Sequence, residues 1–97
     1  MTIWFVSRHP GALAWIQHQG ETYDQHIHHL DLDQISPGDE VIGTLPVHLA
    51  AEVCARGARY RHLSLQLPDH ARGQELSAAE MNACAARLET YFVRKEA

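Results

Sequence analysis

The first apolar block, Ile3-Trp4-Phe5-Val6, is continuous rather than alternating, the pattern of a short strand buried on both faces of a parallel sheet. Pro10 suits the first turn of a helix because its missing N–H would have no partner there. Ala12, Leu13, Trp15 and Ile16 then recur at helical spacing until Gly20. Strand, short turn and helix make the opening of a βαβ unit. From His26 to Leu32 the chain reads as extended, and Ser36-Pro37-Gly38-Asp39 is a turn by composition. Val41 to Leu45 is another short buried strand. Pro46 opens a second helix whose apolar stripe is Val47, Ala50, Ala51 and Cys54, with His48, Glu52 and Arg56 along a polar stripe and Gly57 as its stop.

Tyr60 to Leu67 alternates, with Leu63, Leu65 and Leu67 on one face and His62, Ser64 and Gln66 on the other, as in a half-exposed edge strand. Pro68 to Leu76 reads as a loop. Ser77-x-x-Glu80 is a capping box, and Met81, Cys84, Ala85, Leu88 and Phe92 continue it as a helical stripe, which predicts a third helix running to Phe92. The expected order is β-α-β-β-α-β-α, a single α/β domain over residues 1–97 with about four mostly parallel strands and three helices. One link resists this scheme. Seven residues separate Leu32 from Glu40, fewer than a parallel crossover needs, so the second strand is either antiparallel or shorter than its pattern.

Composition narrows the function. Ninety-seven residues support one core, and a net charge of -4 argues against a protein held on long duplex nucleic acid. The acidity is local, however. Residues 21–40 hold Glu21, Asp24, Asp31, Asp33, Asp39 and Glu40 with no Lys or Arg, which leaves the rest of the chain net positive and open to an anion. The eight histidines equal Lys and Arg together, a hint of proton-transfer, anion or metal chemistry. No apolar run is long enough to cross a bilayer and the N-terminus does not read as a signal peptide, so a cytoplasmic location is expected. Cys54 and Cys84 stand apart without CxxC spacing and are expected to be reduced thiols.

In open α/β sheets ligands bind beyond the carboxyl ends of the strands. Three polar segments fall there: Ser7-Arg8-His9-Pro10-Gly11, Gly43-Thr44-Leu45-Pro46-Val47-His48, and the loop carrying Arg72 and Glu75. The first two each supply a hydroxyl and a glycine and lead into a helix N-terminus, whose amides and dipole favour an anion. Ser7 and Thr44 also suit plain capping, and His48 could pair with Glu52. Arg8 directly after a buried strand is harder to explain structurally. The other constellation, His26-x-His28-His29-x-Asp31-x-Asp33, would be split between two faces of a strand. It reads as a hydrated edge more readily than as a metal site built on His29, Asp31 and Asp33.

The opening Ile3 to Gly11 segment, the central Gly43-Thr44-Leu45-Pro46-Val47-His48-Leu49-Ala50, and Leu67-Pro68 with Arg72-Gly73-x-Glu75-Leu76 resemble the small CRISPR-associated family called Csx sixteen. The resemblance implies a stand-alone accessory protein of type III CRISPR systems, with a minimal CARF-like Rossmann fold, working as a homodimer. It implies a ring nuclease that binds and linearises cyclic oligoadenylate, with cyclic tetra-adenylate as the expected ring, and so switches off the antiviral signal. That chemistry uses neither metal nor other cofactor: a ribose 2′-OH attacks the adjacent phosphate and leaves a 2′,3′-cyclic phosphate end. In this frame Arg8 and the amides near Gly11 and Thr44 stabilise phosphate, and His9 or His48 is the acid or base. Ser7 and Thr44 orient the phosphate or ribose, Gly43 lets the backbone approach the ligand, and Arg72 with Glu75 closes over it. Two other readings remain: a sensor or sink that binds the ring without cutting it, and a small metal-binding regulator.

Overall fold

A computed structural model describes residues 1–67 and 75–96. The elements run β1 (Ile3–Val6), α1 (Pro10–His18), β2 (Gln25–Ile27), a 3₁₀ turn (Leu32–Gln34), β3 (Glu40–Gly43), α2 (Val47–Ala55), β4 (Arg59–Ser64), α3 (Ala78–Ala83) and β5 (Arg87–Tyr91). They form one five-stranded sheet in the order β2-β1-β3-β4-β5. β1 is parallel to both β2 and β3, and β3 is parallel to β4; only β5 is antiparallel to its neighbour. The protein is therefore an α/β fold with a mostly parallel sheet, one strand larger than its sequence pattern predicts.

Both faces of the sheet are covered. Phe5, Ile42 and Leu63 pack against Ala12, Trp15 and Ile16 of α1 and Met81 of α3. On the opposite face Val41 and Tyr60 pack against Ala50, Val53 and Cys54 of α2 and against Ile35. This division follows from the strand order. The chain leaves β1 toward one edge and β3 toward the other, and right-handed crossovers in opposite directions put α1 and α2 on opposite faces. Across the first face the Trp15 indole N–H donates to the Asn82 side-chain oxygen at 2.7 Å, tying α1 to α3. Cys54 is buried and Cys84 half-buried, and both are free thiols. No helix among the described residues is long and apolar enough to cross a membrane.

One open choice is decided, for a shorter second strand, and two expectations are corrected. β2 ends at Ile27 and is parallel, so residues 28–39, with the 3₁₀ turn, supply the length a parallel crossover requires. β4 is an inner strand and not an edge, because β5 pairs with it from Tyr60↔Tyr91 to Ser64↔Arg87. The third helix stops at Ala83. Its start is as predicted, with the Ser77 hydroxyl accepting from the Glu80 amide and the Glu80 carboxylate accepting from the Ser77 amide. Its stop is a Schellman motif: the Ala86 amide donates to the Met81 carbonyl and the Ala85 amide to the Asn82 carbonyl, with Ala85 at φ 57°. The same pair of bonds ends α2, from Ala58 to Val53 and from Gly57 to Cys54, with Gly57 at φ 81°. Where α2 carries the usual glycine in the left-handed position, α3 carries alanine, so its sequence gives no stop signal. Past that turn Leu88 to Tyr91 is strand, and Thr90 and Tyr91 are β-favouring residues.

Four acids of residues 21–40, Glu21, Asp24, Asp39 and Glu40, lie toward the amino ends of the strands. Asp39, 5% exposed, accepts hydrogen bonds from the Thr2 and Ser36 amides and from the Trp4 indole at 2.9–3.1 Å. Those bonds, the Ser36 and Thr2 amides first, hold its carboxyl below the ordinary aspartate range. Asp24 accepts from the Ile3 amide at 2.7 Å. Arg61 of β4 bridges Glu21 at 3.1 Å and Glu40 at 3.3 Å. These acids are thus engaged at the end of the sheet away from the carboxyl-end loops of β1, β3 and β4.

Candidate functional site

The chain reverses its direction of travel across the sheet between β1 and β3, and a doubly wound sheet of this order opens a crevice beyond the carboxyl ends of those two strands. A cavity of about 330 Å³ lies there. Its polar lining is Ser7 and His9 after β1, Gly43 and Thr44 after β3, and Glu75 before α3. Phe5, Leu63, Leu65, Leu67, Leu76 and Met81 form an apolar wall. A mostly apolar cavity with a few convergent polar groups is the usual character of a small-ligand site, and this volume is at the lower end of the range for such sites.

Each loop has a local reason for its shape. After β1 the Ser7 amide donates to the Ile27 carbonyl, extending the β1–β2 ladder by one residue, and the Ser7 hydroxyl accepts from the His9 amide at 3.1 Å. That turn ends the strand and leaves His9 as the residue preceding α1, its carbonyl accepting from Ala12 and Leu13. After β3 the turn through Thr44 is held from behind. The Leu45 amide donates to the Tyr60 hydroxyl at 2.8 Å, and that hydroxyl donates to the Gly43 carbonyl at 3.1 Å. Burial pushes the Tyr60 phenol up, so it stays neutral and able to donate.

The structure therefore brings together Ser7, His9, Gly43, Thr44 and Glu75. Arg8, between two lining residues, is exposed and its side chain is not on the lining; His48, in the first turn of α2, is exposed and outside it. Gly11 is not on the lining and has a packing reason of its own. A Cβ there would lie 1.7 Å from the Leu76 carbonyl oxygen, so the glycine lets α1 meet the segment leading into α3. At Gly43 a Cβ would come within 2.9 Å of the Val6 carbonyl oxygen, again a backbone reason beside its place on the lining. Arg72 lies outside the described residues. Asp31 caps the 3₁₀ turn by accepting from the Asp33 amide, and among the described residues no three His, Cys, Asp or Glu side chains are grouped to hold a metal ion.

A family model decides the broad identity: it matches residues 4–94 and is described as "Putative CRISPR-associated protein (Cas_VVA1548)". The chain belongs to that CRISPR-associated family. No curated protein and no solved structure matches it.

Sequence reasoning missed the side chains that stand behind the two loops of this CRISPR-associated chain. His26 on β2 is half-buried, its ring 5.4 Å from Phe5, and its Nε2 donates to the Ser7 carbonyl at 2.9 Å. His62 on β4 is half-buried with its Nδ1 2.6 Å from the Tyr60 hydroxyl. Both sit on segments whose sequence pattern reads as a hydrated or half-exposed edge strand. The alternation of β4 is the available signal, since it puts Tyr60 and His62 on one face together.

Proposed function

We propose that this protein is a ring nuclease of type III CRISPR systems, of the Csx sixteen kind, which binds cyclic oligoadenylate and opens the ring without a metal. The observation that carries the proposal is the convergence of Ser7, His9, Gly43, Thr44 and Glu75 on one cavity at the β1–β3 switch point. Ser7 and Thr44 supply hydroxyls for a phosphate or ribose, the start of α1 supplies a favourable dipole for a phosphate, and Arg8 adds charge beside them. The apolar wall suits an adenine face. In the reaction the ribose 2′-oxygen bonds to the adjacent phosphorus while the bond to the 5′-oxygen breaks. His9 takes the 2′-hydroxyl proton and water returns one to the 5′-oxygen. A four-nucleotide ring exceeds one such cavity, so the proposal includes a two-fold homodimer that offers the same site twice. Glu75 meets the ring from the segment that leads into α3.

Incubation with cyclic tetra-adenylate in excess EDTA, followed by chromatography, tests the reaction. The expected product is linear oligoadenylate ending in a 2′,3′-cyclic phosphate. Intact ring after long incubation with stoichiometric protein contradicts the nuclease and leaves the binding-only reading.

A further inference from the structure

The hydroxyl of Tyr60 is a three-way junction. It lies 2.8 Å from the Leu45 amide, 3.1 Å from the Gly43 carbonyl and 2.6 Å from Nδ1 of His62. A phenol has one hydrogen and can accept at its oxygen. The Leu45 N–H can only donate, while the Gly43 carbonyl and a bare Nδ1 can only accept, so the one phenol hydrogen serves either Gly43 or His62. With that hydrogen on Gly43, the contact to His62 is a hydrogen bond only when Nδ1 carries the proton and donates to the Tyr60 oxygen. Only that tautomer satisfies all three contacts at once, and Gly43 and Leu45 are the two residues flanking Thr44.

We propose that Tyr60 and His62 are positioning residues for the Thr44 turn: His62, fixed as its Nδ1–H tautomer, donates to Tyr60, which clamps the Gly43 carbonyl and the Leu45 amide from the α2 face of the sheet. The clamp is remote from the ligand, since Tyr60 is 2% exposed and neither residue lines the switch-point cavity. It acts by fixing the backbone that presents Thr44. Its value for ring binding rests on the function proposed above; the clamp itself does not.

Long-range proton–nitrogen NMR on the wild-type chain tests the tautomer without any variant. The expected spectrum of the neutral ring shows His62 Nδ1 protonated and Nε2 unprotonated. The Nε2–H form, or a fast mixture, overturns the proposal. Hydrogen exchange tests the clamp: Tyr60→Phe and His62→Leu should speed exchange of the Leu45 amide about tenfold or more while amides of β1 keep their protection. His62→Asn, which keeps a donor near the Nδ1 position, should restore slow exchange. Unchanged Leu45 exchange in His62→Leu contradicts the clamp even if Tyr60→Phe fails to fold. With cyclic tetra-adenylate as probe, His62→Leu should weaken binding about tenfold, with His62→Asn close to wild type. If the wild-type chain does not bind the ring, the proposed function fails while tautomer and exchange still decide the clamp.

Discussion

Gly11→Ala is expected to destabilise the protein by about 1–3 kcal/mol, lowering Tm by roughly 10 °C in a domain of this size. Two effects compete at this position. Inside a helix alanine is intrinsically better than glycine by about 0.5–1 kcal/mol, so an open site would gain from the change. Here the new methyl would sit 1.7 Å from the Leu76 carbonyl oxygen, a backbone atom that cannot rotate away. Either α1 or the segment leading into α3 must move. Trp15 and Asn82 tie the same two elements together, which resists a simple separation. Because Leu76 also lines the cavity, the shift should reach the ligand site. Thermal unfolding followed by circular dichroism is the check. A Tm equal to or above that of the wild type would mean that the helix preference wins and the close approach is absent.

His9→Ala should lower the rate of ring opening by about 10² to 10⁴-fold, the usual loss when a general base is removed, with ring binding largely kept. His9 is the only histidine on the described lining of the cavity, and the turn fixed by the Ser7 hydroxyl places it there. Its imidazole is not needed for that turn, which uses the His9 amide and carbonyl. The substitution should therefore leave Tm nearly unchanged, so a lost rate can be read as lost chemistry. Single-turnover kinetics separates rate from affinity. His48→Ala is the comparison: a large loss there, with His9→Ala unaffected, would move the base to α2.

Much of this fold can be read along the chain because its local signals agree with its packing. The continuous apolar run of β1, Pro10 in the first turn of α1 and the glycine after α2 each state one element and its end. The third helix shows where that reading stops. Leu88 lies both on a helical stripe from Met81 and on an alternating strand, and the left-handed residue that separates the two is Ala85, which carries no composition signal. Only the pairing with β4 decides. The extended pattern at β2 overruns the strand for a related reason: its apolar residues continue as Leu30 and Leu32, which pack under the α2 face from the connection that follows the strand.

The site divides in the same way. Ser7, His9, Gly43 and Thr44 follow from the general rule that ligands sit at strand carboxyl ends, which needs only the elements and their order. The support behind them depends on which strands are neighbours. His26 reaches Ser7 because β2 lies beside β1, and Tyr60 reaches Gly43 because β4 lies beside β3. No spacing along the chain carries that information.

The most direct test of the switch-point site is a titration of the ¹⁵N-labelled chain with cyclic tetra-adenylate, followed by amide chemical shifts. The expected changes centre on Ser7, His9, Thr44 and Glu75, with the amino-end acids Asp24, Asp39 and Glu40 unmoved. Shifts confined to the outer face of α2 or to β5, or no shifts at saturating ring, would contradict a ligand site between β1 and β3.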